Sequence, residues 1–234
     1  VIDKIYPHVG QAVLKALTHH EIGIYMPSGQ ACCGIPALAS GDKESFDKLV
    51  KHNLELFEKE NFDYLLTACA TCTATMHELW PLMSGDKTQS MQDRIAAMSA
   101  KVMDVNQFMV DVLKVAMPVS GSGTKVTYHD PCHLKKSMKV FEQPRALLKS
   151  NPNVEFVEMA DADRCCGCGG SFNLQHYSVS RSIGDQKRGN IVASGAQVVA
   201  TGCPACMLQI SDMLSQHKDQ IAVKHVMEIY AETL

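Results

Sequence analysis

Cysteine is the residue type with the clearest chemistry in this chain, and nine of its ten cysteines follow a pattern that occurs twice. In each half an adjacent cysteine pair is followed by glycine and, after a longer stretch, by a C-x-x-C pair. Thiolates are soft ligands, so thiols in this number favour iron–sulfur or zinc over ions that prefer oxygen. The cysteines of the pattern are Cys32, Cys33, Cys69 and Cys72 in the first half and Cys132, Cys165, Cys166, Cys203 and Cys206 in the second.

The number of thiols in the second half bears on which metal they bind. One zinc ion takes four ligands, whereas a multi-iron cluster can use a fifth thiolate. The glycine after each pair permits a turn with positive φ, which lets backbone N–H groups approach sulfide or thiolate. We therefore expect an iron–sulfur site, with a structural zinc site and a thioredoxin-like dithiol as alternatives. Cys168 lies outside the pattern and is either a buried free thiol or an alternative ligand.

The spacing of the cysteines indicates an internal duplication. The offset from Cys32 to Cys165 is nearly the same as that from Cys69 to Cys203, and each is more than half the length of the chain. A repeat of this length is a duplicated domain, since solenoid repeats have periods of roughly 20–50 residues. A short Gly/Ser run at 120–123 is the best boundary, which predicts a first domain over 1–119 and a second over 124–234.

Strands and helices alternate along both halves, which is typical of parallel α/β units. Each C-x-x-C pair is expected to follow a buried strand and to begin a helix, where the helix dipole favours thiolate. We predict strands over 22–26, 64–67, 125–128, 154–158 and 197–200 and around Val223. We predict helices over 10–19, 42–60, 71–79, 92–103, 105–116, 143–149, 176–193 and 205–214 and from Val226, with a polar loop over 84–91.

Composition limits the function classes. A net charge of −3 and a pI near 6.4 provide no basic surface for nucleic acid. No apolar run approaches the roughly 18 residues that a membrane span needs. With no secretory leader visible, the cysteines indicate a reducing compartment, so we expect a cytoplasmic protein or one peripheral to the inner membrane face. The chain begins at Val1 without methionine, which we interpret as a portion of a longer protein.

Three segments of the second half resemble a known family. They are His129-Asp-Pro-Cys-His133, Cys165-Cys-Gly-Cys-Gly-Gly-Ser-Phe172 and Ala200-Thr-Gly-Cys-Pro-Ala-Cys206. With the order of the cysteines, they resemble the cysteine-rich CCG domain of heterodisulfide reductase and, more closely, of the iron–sulfur subunits of glycolate and lactate oxidases. The resemblance implies two pseudo-symmetric α/β domains with parallel sheets and clusters near their interface.

The same resemblance implies a function and a cofactor. Each complete five-cysteine set would hold a non-cubane [4Fe–4S] cluster, and the chain would pass electrons from a flavoprotein partner that oxidises a 2-hydroxyacid. A ferredoxin-like domain or subunit and a membrane-associated complex would be further partners. Alternatives are heterodisulfide-reductase-like reduction of a disulfide at a non-cubane cluster, and a structural zinc-binding interaction module.

The first half departs from the family pattern. The offset between Cys32 and Cys165, applied to Cys132, places its counterpart at about position −1, ahead of Val1. The four thiols of the first half could hold a cubane cluster, a damaged cluster, or a full site if the missing cysteine lies upstream.

Polar residues near the cysteines are further candidates. His129 and His133 are expected either to donate to sulfur or relay protons, or to be satisfied by the backbone. Asp130 is expected to be a turn residue, His176 a capping or surface residue, and Trp80 core. Three cations, Lys135, Lys136 and Arg181, are expected on the solvated surface rather than neutralising cluster charge.

Overall fold

The computed structural model describes residues 1–115, 117, 119 and 121–234, and it alternates helices and parallel strands in two halves. The first half has strands β1 (Leu65–Thr67) and β2 (Val102–Asp104). Its helices are α1 (Pro7–His19), α2 (Ile35–Ala39), α3 (Lys43–Phe57), α4 (Ala70–Ala74), α5 (Trp80–Met83), α6 (Gln89–Ala100) and α7 (Val105–Gln107). Two π-helical turns, Thr75–Leu79 and Phe108–Val112, extend α4 and α7.

The second half has four strands, β3 (Thr124–His129), β4 (Val154–Phe156), β5 (Val198–Thr201) and β6 (Ala222–His225). Its helices are α8 (Glu142–Lys149), α9 (Phe172–Gln175), α10 (Tyr177–Ala193), α11 (Pro204–Gln216) and α12 (Val226–Ala231), with a π-helical turn over His133–Ser137. This order of elements confirms the predicted α/β class.

Both sheets are parallel. β1 pairs with β2, and the larger sheet has the order β4-β3-β5-β6. The registers correspond, since Thr67 pairs with Asp104 in the first half and Thr201 pairs with His225 in the second. All four residues of β5 are buried, as expected for a central parallel strand covered on both faces.

Local sequence accounts for the helix that follows the first CCG segment. The α3 helix begins after Asp42, whose carboxylate accepts a hydrogen bond from the Ser45 backbone N–H at 3.0 Å. Its buried face carries Phe46, Val50 and Leu54, at the spacing of an amphipathic helix. The helix therefore packs under the loop that carries the first cysteine pair.

The predicted strand over 22–26 is wrong. Its counterpart β4 forms hydrogen bonds with β3, but no strand among the described residues pairs with 22–26, and Ile24, Tyr25 and Met26 are exposed. An extended segment becomes a strand only when a neighbour satisfies its backbone groups. The apolar run alone therefore did not decide the structure.

Other predicted boundaries also change. The helix over 92–103 ends at Ala100, because Val102–Asp104 instead form β2 against β1. The helix over 71–79 continues past Pro81 to Met83, since a π-helical turn precedes the proline. The polar loop over 84–91 gives way to α6 at Gln89.

The segment between the halves is only partly described. The helix predicted over 105–116 ends in the π-helical turn at Val112, and its last residue, Ala116, lies outside the described residues. Ser120 of the predicted boundary also lies outside them, so the domain limits 1–119 and 124–234 stay a prediction.

The two halves share a hydrophobic core. One buried cluster combines Ala16 and Phe108 of the first half with Tyr128 and Val226 of the second. A second places Ala70 among residues of the second half, including Cys203. Within the described residues, no helix is both long and apolar enough to cross a membrane.

Candidate metal centre

The C-x-x-C pairs lie where the sequence predicts, between a strand and a helix. Cys69 precedes α4 at the end of β1, and Cys203 precedes α11 at the end of β5. Both cysteines have extended backbone angles, and Pro204 occupies the first turn of α11, where a missing N–H costs nothing. The first thiol of each pair therefore sits at the N-terminus of a helix, where thiolate is favoured.

The glycines of the CCG segments adopt the conformation that the sequence predicts. Gly34 has φ 95° and Gly167 has φ 94°. The turn brings the Gly167 backbone nitrogen to 3.3 Å from the Cys165 Sγ, so that its N–H donates a hydrogen bond to this sulfur. This is the approach of backbone to sulfur for which glycine is needed.

The thiols of the two halves meet. The Cys69 thiol interacts with the Cys203 thiol across the boundary between the halves. The Ala70 backbone N–H donates to the Gly202 carbonyl at 3.0 Å, and the Thr71 hydroxyl lies 3.5 Å from Cys203 Sγ. Successive contacts join eight thiols into one run, in the order Cys32, Cys33, Cys72, Cys69, Cys203, Cys206, Cys166 and Cys165.

Neighbouring thiols change one another's pKa along this run. Hydrogen bonds from Cys32 and then Cys72 lower the pKa of Cys33 to about 3. Hydrogen bonds from Cys165 and Cys206 likewise lower the pKa of Cys166. Since thiolate is the form that binds metal, a lowered pKa makes each of these buried thiols a better ligand in the free protein.

Cys203 belongs to the same group, because hydrogen bonds from Cys206 and Cys69 lower its pKa. Cys206 shows the opposite shift, since its contacts with Cys166 and Cys203 raise its pKa. The pKa values of the two thiols in the second C-x-x-C pair therefore shift in opposite directions.

Two histidines lie against the thiols of the second half. One ring nitrogen of His129 and the Sγ atoms of Cys166 and Cys206 all lie within 4.8 Å of one another. No nitrogen or oxygen of the described residues forms a hydrogen bond with either ring nitrogen of His129. The alternative that the backbone satisfies this ring is therefore wrong. His133 interacts with Cys132, which raises the pKa of the histidine, and its Nδ1 lies 3.3 Å from the Thr71 hydroxyl.

Cys168 behaves as a buried thiol. It packs in the apolar cluster around Ile210 and Leu214, and burial raises its pKa to about 11. Its pKa shift includes no hydrogen bond to another thiol, unlike the shifts of the thiols in the run, so this environment favours the free-thiol alternative.

The prediction that Asp130 is a turn residue misses its main role. Arg145 donates two hydrogen bonds of 2.8 Å to its carboxylate, and Lys135 donates one of 3.2 Å. Burial opposes ionisation of Asp130, but the hydrogen bonds from Arg145 outweigh it and lower the pKa. Lys135 therefore pairs with Asp130 rather than standing free on the surface. No local pattern signals an ion pair between residues 15 positions apart.

Other candidates stay close to their expectations. Trp80 is fully buried core, and its Nε1–H also donates to the Cys33 carbonyl at 2.9 Å. His176 precedes α10 but makes no capping hydrogen bond through its side chain, which leaves the surface role. Lys136 and Arg181 are exposed on the surface, as predicted.

Sequence reasoning did not single out Asn53 or Lys187. Both are polar, buried and directed at the loops that carry the cysteine pairs. A polar residue inside a helix has no sequence signal that distinguishes a buried position from an exposed one.

Comparison with known proteins agrees with these observations. A family model described as "CCG: Cysteine-rich domain" matches residues 1–77 and 126–211. The chain is 33% identical over 225 residues to an uncharacterized iron–sulfur protein of Methanococcus maripaludis, covering 96% of this chain and 42% of that protein. It is 32% identical over 230 residues to Lactate utilization protein A of an Exiguobacterium species, covering 98% and 93%.

A third relative is one of the subunits of a fumarate reductase (CoM/CoB) from Methanothermobacter marburgensis. It is 31% identical over 230 residues, which cover 98% of this chain and 44% of that protein. The chain thus spans less than half of two of these relatives and nearly all of the other. Because the family model matches both halves, the chain belongs to the cysteine-rich CCG domain family and carries this domain twice.

Proposed function

We propose that this chain is an iron–sulfur electron-transfer subunit of a complex that oxidises a 2-hydroxyacid such as lactate or glycolate. The observation that carries the proposal is the continuous run of eight thiols across the two halves. The similarity to Lactate utilization protein A, over nearly the whole length of both proteins, supports the choice of substrate class.

The thiols are assigned to two sites. The second-half site consists of Cys132, Cys165, Cys166, Cys203 and Cys206 and would hold a [4Fe–4S] cluster, non-cubane because of the fifth thiolate. The first-half site consists of Cys32, Cys33, Cys69 and Cys72 and would hold a second cluster. These donor sets fit the cofactor, since soft thiolates and glycine-rich turns are the ligands and surroundings that iron–sulfur clusters use. When bound, the clusters supply one-electron oxidation and reduction.

The protein surrounds these sites unevenly. Cys203 and Cys206, in the middle of the run, are buried, whereas Cys32 and Cys165 at its two ends are exposed. Buried ligands keep water from the centre, and the exposed ends leave two places at which electrons could enter or leave. A flavoprotein subunit at one end and a ferredoxin-like domain or subunit at the other are the partners we propose, in a cytoplasmic complex that could associate with the membrane.

The first test is chemical analysis of anaerobically purified protein for iron, zinc and acid-labile sulfide. We expect iron and sulfide in equal amounts, with about four of each if the second half alone is loaded and about eight if both are. Zinc without sulfide would instead indicate a structural interaction module.

The second test concerns electron transfer. The reconstituted protein is mixed with a candidate flavoprotein and lactate, and bleaching of the iron–sulfur absorbance is followed. We expect bleaching that requires both flavoprotein and lactate. Failure of every 2-hydroxyacid and flavoprotein pair to reduce a fully loaded protein would contradict the proposal.

Thiol–disulfide reduction is the second candidate function. The exposure of Cys32 and Cys165 favours it, because a substrate sulfur could reach the site from solvent at either end. Addition of a thiol or a disulfide should then change the electron paramagnetic resonance spectrum of the loaded protein. An unchanged spectrum at saturating ligand would leave electron transfer as the function.

A further inference from the structure

Two corresponding positions beneath the CCG loops carry different side chains. Asn53 in α3 precedes Cys69 by the same number of positions as Lys187 in α10 precedes Cys203. Both side chains belong to the helix that follows the CCG segment, and both residues are 1% exposed. The duplicated fold therefore places a neutral amide and an amine in the same environment.

Asn53 links two main-chain groups of the first CCG loop. Its Oδ1 accepts a hydrogen bond from the Ala31 N–H at 2.8 Å, and its Nδ2 donates to the Cys32 carbonyl at 3.0 Å. A neutral side chain is thus sufficient to hold a CCG loop on its supporting helix.

Lys187 makes the corresponding contacts in the second half. Its Nζ donates to the Asp161 carbonyl at 2.7 Å and to the Ala162 carbonyl at 3.1 Å, and it lies 3.9 Å from Met159 Sδ. Within the described part of the chain, all three of these partner atoms are uncharged. No carboxylate of the described residues forms an ion pair with this ammonium, although Asp130, Asp163 and Asp161 act on it at longer range.

A buried ammonium is costly, and the first half shows that holding the loop does not require one. Burial lowers the pKa of Lys187 to about 8, with Cys166 and Asp130 opposing the effect, so the charged form remains the major one at pH 7. Charges in a buried, low-dielectric environment interact far more strongly than charges in water. Met159 and Ala162, which the Lys187 Nζ contacts, pack in the same buried cluster as Cys166, so this charge lies close to the thiols of the second half.

Two other charged groups near the thiols act differently from Lys187. Arg145 is held by the carboxylates of Asp130 and Glu158, so its charge is largely neutralised. Asp104 lies at the junction of the two thiol sets and acts on Cys203, which itself contacts Cys69. His129 and His133 also lie against the second-half thiols, and Lys187 is the buried lysine there whose hydrogen-bond partners are uncharged carbonyl groups.

We propose that the Lys187 ammonium raises the reduction potential of the cluster in the second half, so that an added electron resides there rather than in the first half. The inference rests on the proposed function, because it requires clusters in the protein. Reduction adds one electron from a reduced mediator or protein partner to the cluster, with no bond made or broken. A nearby buried cation stabilises the more negative, reduced form, and the neutral Asn53 does not.

The test is a mediator titration of the anaerobically reconstituted full chain, followed by electron paramagnetic resonance. Cys33→Ser and Cys166→Ser assign the signals to the first and second halves. Lys187→Asn, which installs the first-half residue, should lower the second-half potential by at least the 59 mV that corresponds to a tenfold change in a one-electron equilibrium constant. The first-half signal should stay in place.

Three further variants separate charge from structure. Lys187→Met removes the charge with similar side-chain length and should reproduce the shift if Lys187→Asn loads poorly. Lys187→Arg keeps the charge and should retain most of the potential. The exposed Lys218, whose φ of 58° asparagine tolerates, provides the matched control Lys218→Asn, which should change nothing.

The outcomes distinguish this inference from the proposed function. Unchanged potentials in both Lys187→Asn and Lys187→Met, with clusters fully loaded, would overturn the inference and leave the proposed function standing. A wild-type protein that holds no iron or sulfide after anaerobic reconstitution would overturn both.

Discussion

The two halves of the molecule use the same backbone plan around their thiols but different buried polar residues. In both halves a strand leads to the C-x-x-C pair, and a glycine with positive φ follows the adjacent cysteines. Beneath these loops, however, the first half has the neutral Asn53 and the second has Lys187. Geometry has been retained between the copies, while the charge near the thiols has changed.

A second pair of positions shows the same contrast. Asp104 and His225 each end the last strand of their sheet, opposite Thr67 and Thr201. Each also accepts a hydrogen bond from the backbone N–H two residues later. Both are fully buried, yet one is an acid and the other a base. At this position the two halves therefore carry different ionisable groups in the same cap, and they should differ in their response to pH.

The largest expected effect comes from removing a ligand from one half at a time. Cys33→Ser removes one such thiol from the first half, and Cys166→Ser removes one from the second. In both cases hydrogen bonds from neighbouring thiols lower the pKa of the thiol that is removed. If the two sites are independent, each variant should lose about half of the bound iron and sulfide, measured after anaerobic reconstitution.

Cys168→Ser provides the control and should retain the full content, since Cys168 lies outside the run of interacting thiols. Complete loss of iron in either single variant would mean that the halves load as one unit. In that case the thiols of the two halves would form a single shared site rather than two comparable sites.

Asp104 should make the metal-free, reduced protein less stable at neutral pH than in mild acid. Burial raises its pKa from 3.8 to about 7, although hydrogen bonds from Asn106 oppose the shift. The folded state then binds a proton that the unfolded state releases, so stability falls as pH rises from about 4 to about 7, by roughly 4 kcal/mol in total.

Asp104→Asn keeps the cap and removes the ionisation, so its advantage over the parent should grow by roughly that amount between pH 4 and pH 8. Urea unfolding at each pH measures it. An equal pH dependence in variant and parent would show that Asp104 does not ionise in the folded state over this range.

His225 should give the opposite pH dependence in the other half. Burial lowers its pKa from 6.5 to about 4. Here the unfolded state binds the extra proton, so stability is lost as pH falls from about 6.5 to about 4, by roughly 3 kcal/mol. His225→Asn retains an oxygen acceptor for the Met227 N–H and should resist acid better than the parent. Urea unfolding of the parent and the variant between pH 7 and pH 4 measures this. If the free energy of unfolding falls equally in both proteins, burial of the neutral imidazole is not what limits acid stability.

Local sequence was sufficient to predict much of the fold around the thiols. The apolar strand before Cys69 and before Cys203, and the helix after each, are encoded within a few residues and are confirmed. The β2 strand was missed because three residues following a helix become a strand only through pairing with β1. The strand predicted over 22–26 was wrong because strand-like sequence is not sufficient without pairing. These residues have no partner strand among the described residues.

The charges around the site could not be predicted in the same way. The contact of Arg145 with Asp130 joins residues 15 positions apart, and that of Lys187 with Ala162 joins residues 25 apart. Such pairs depend on how helices pack beneath the loops. The CCG glycines are the exception, because a glycine directly after each cysteine pair predicts a turn with positive φ, which is observed in both halves.

Substitution of these glycines offers the finest comparison of the two loops. Alanine at Gly34 or Gly167 would have to adopt the left-handed conformation, which costs roughly 1–2 kcal/mol in either loop. Beyond that, an added Cβ at Gly34 would meet the Phe46 ring at 2.8 Å, whereas at Gly167 it would meet the Ser180 backbone carbonyl at 2.5 Å.

The buried Phe46 ring can shift by a few tenths of an ångström more easily than the backbone of a long helix, so Gly167→Ala should cost about 1 kcal/mol more than Gly34→Ala. Thermal unfolding of the metal-free proteins measures the difference. Gly189→Ala serves as the control, because this glycine lies in α10 with open space at its Cβ and alanine should be neutral or stabilising there. Equal losses at Gly34 and Gly167 would show that the second loop yields as easily as the first, and that the two halves hold their cysteine pairs with the same stiffness.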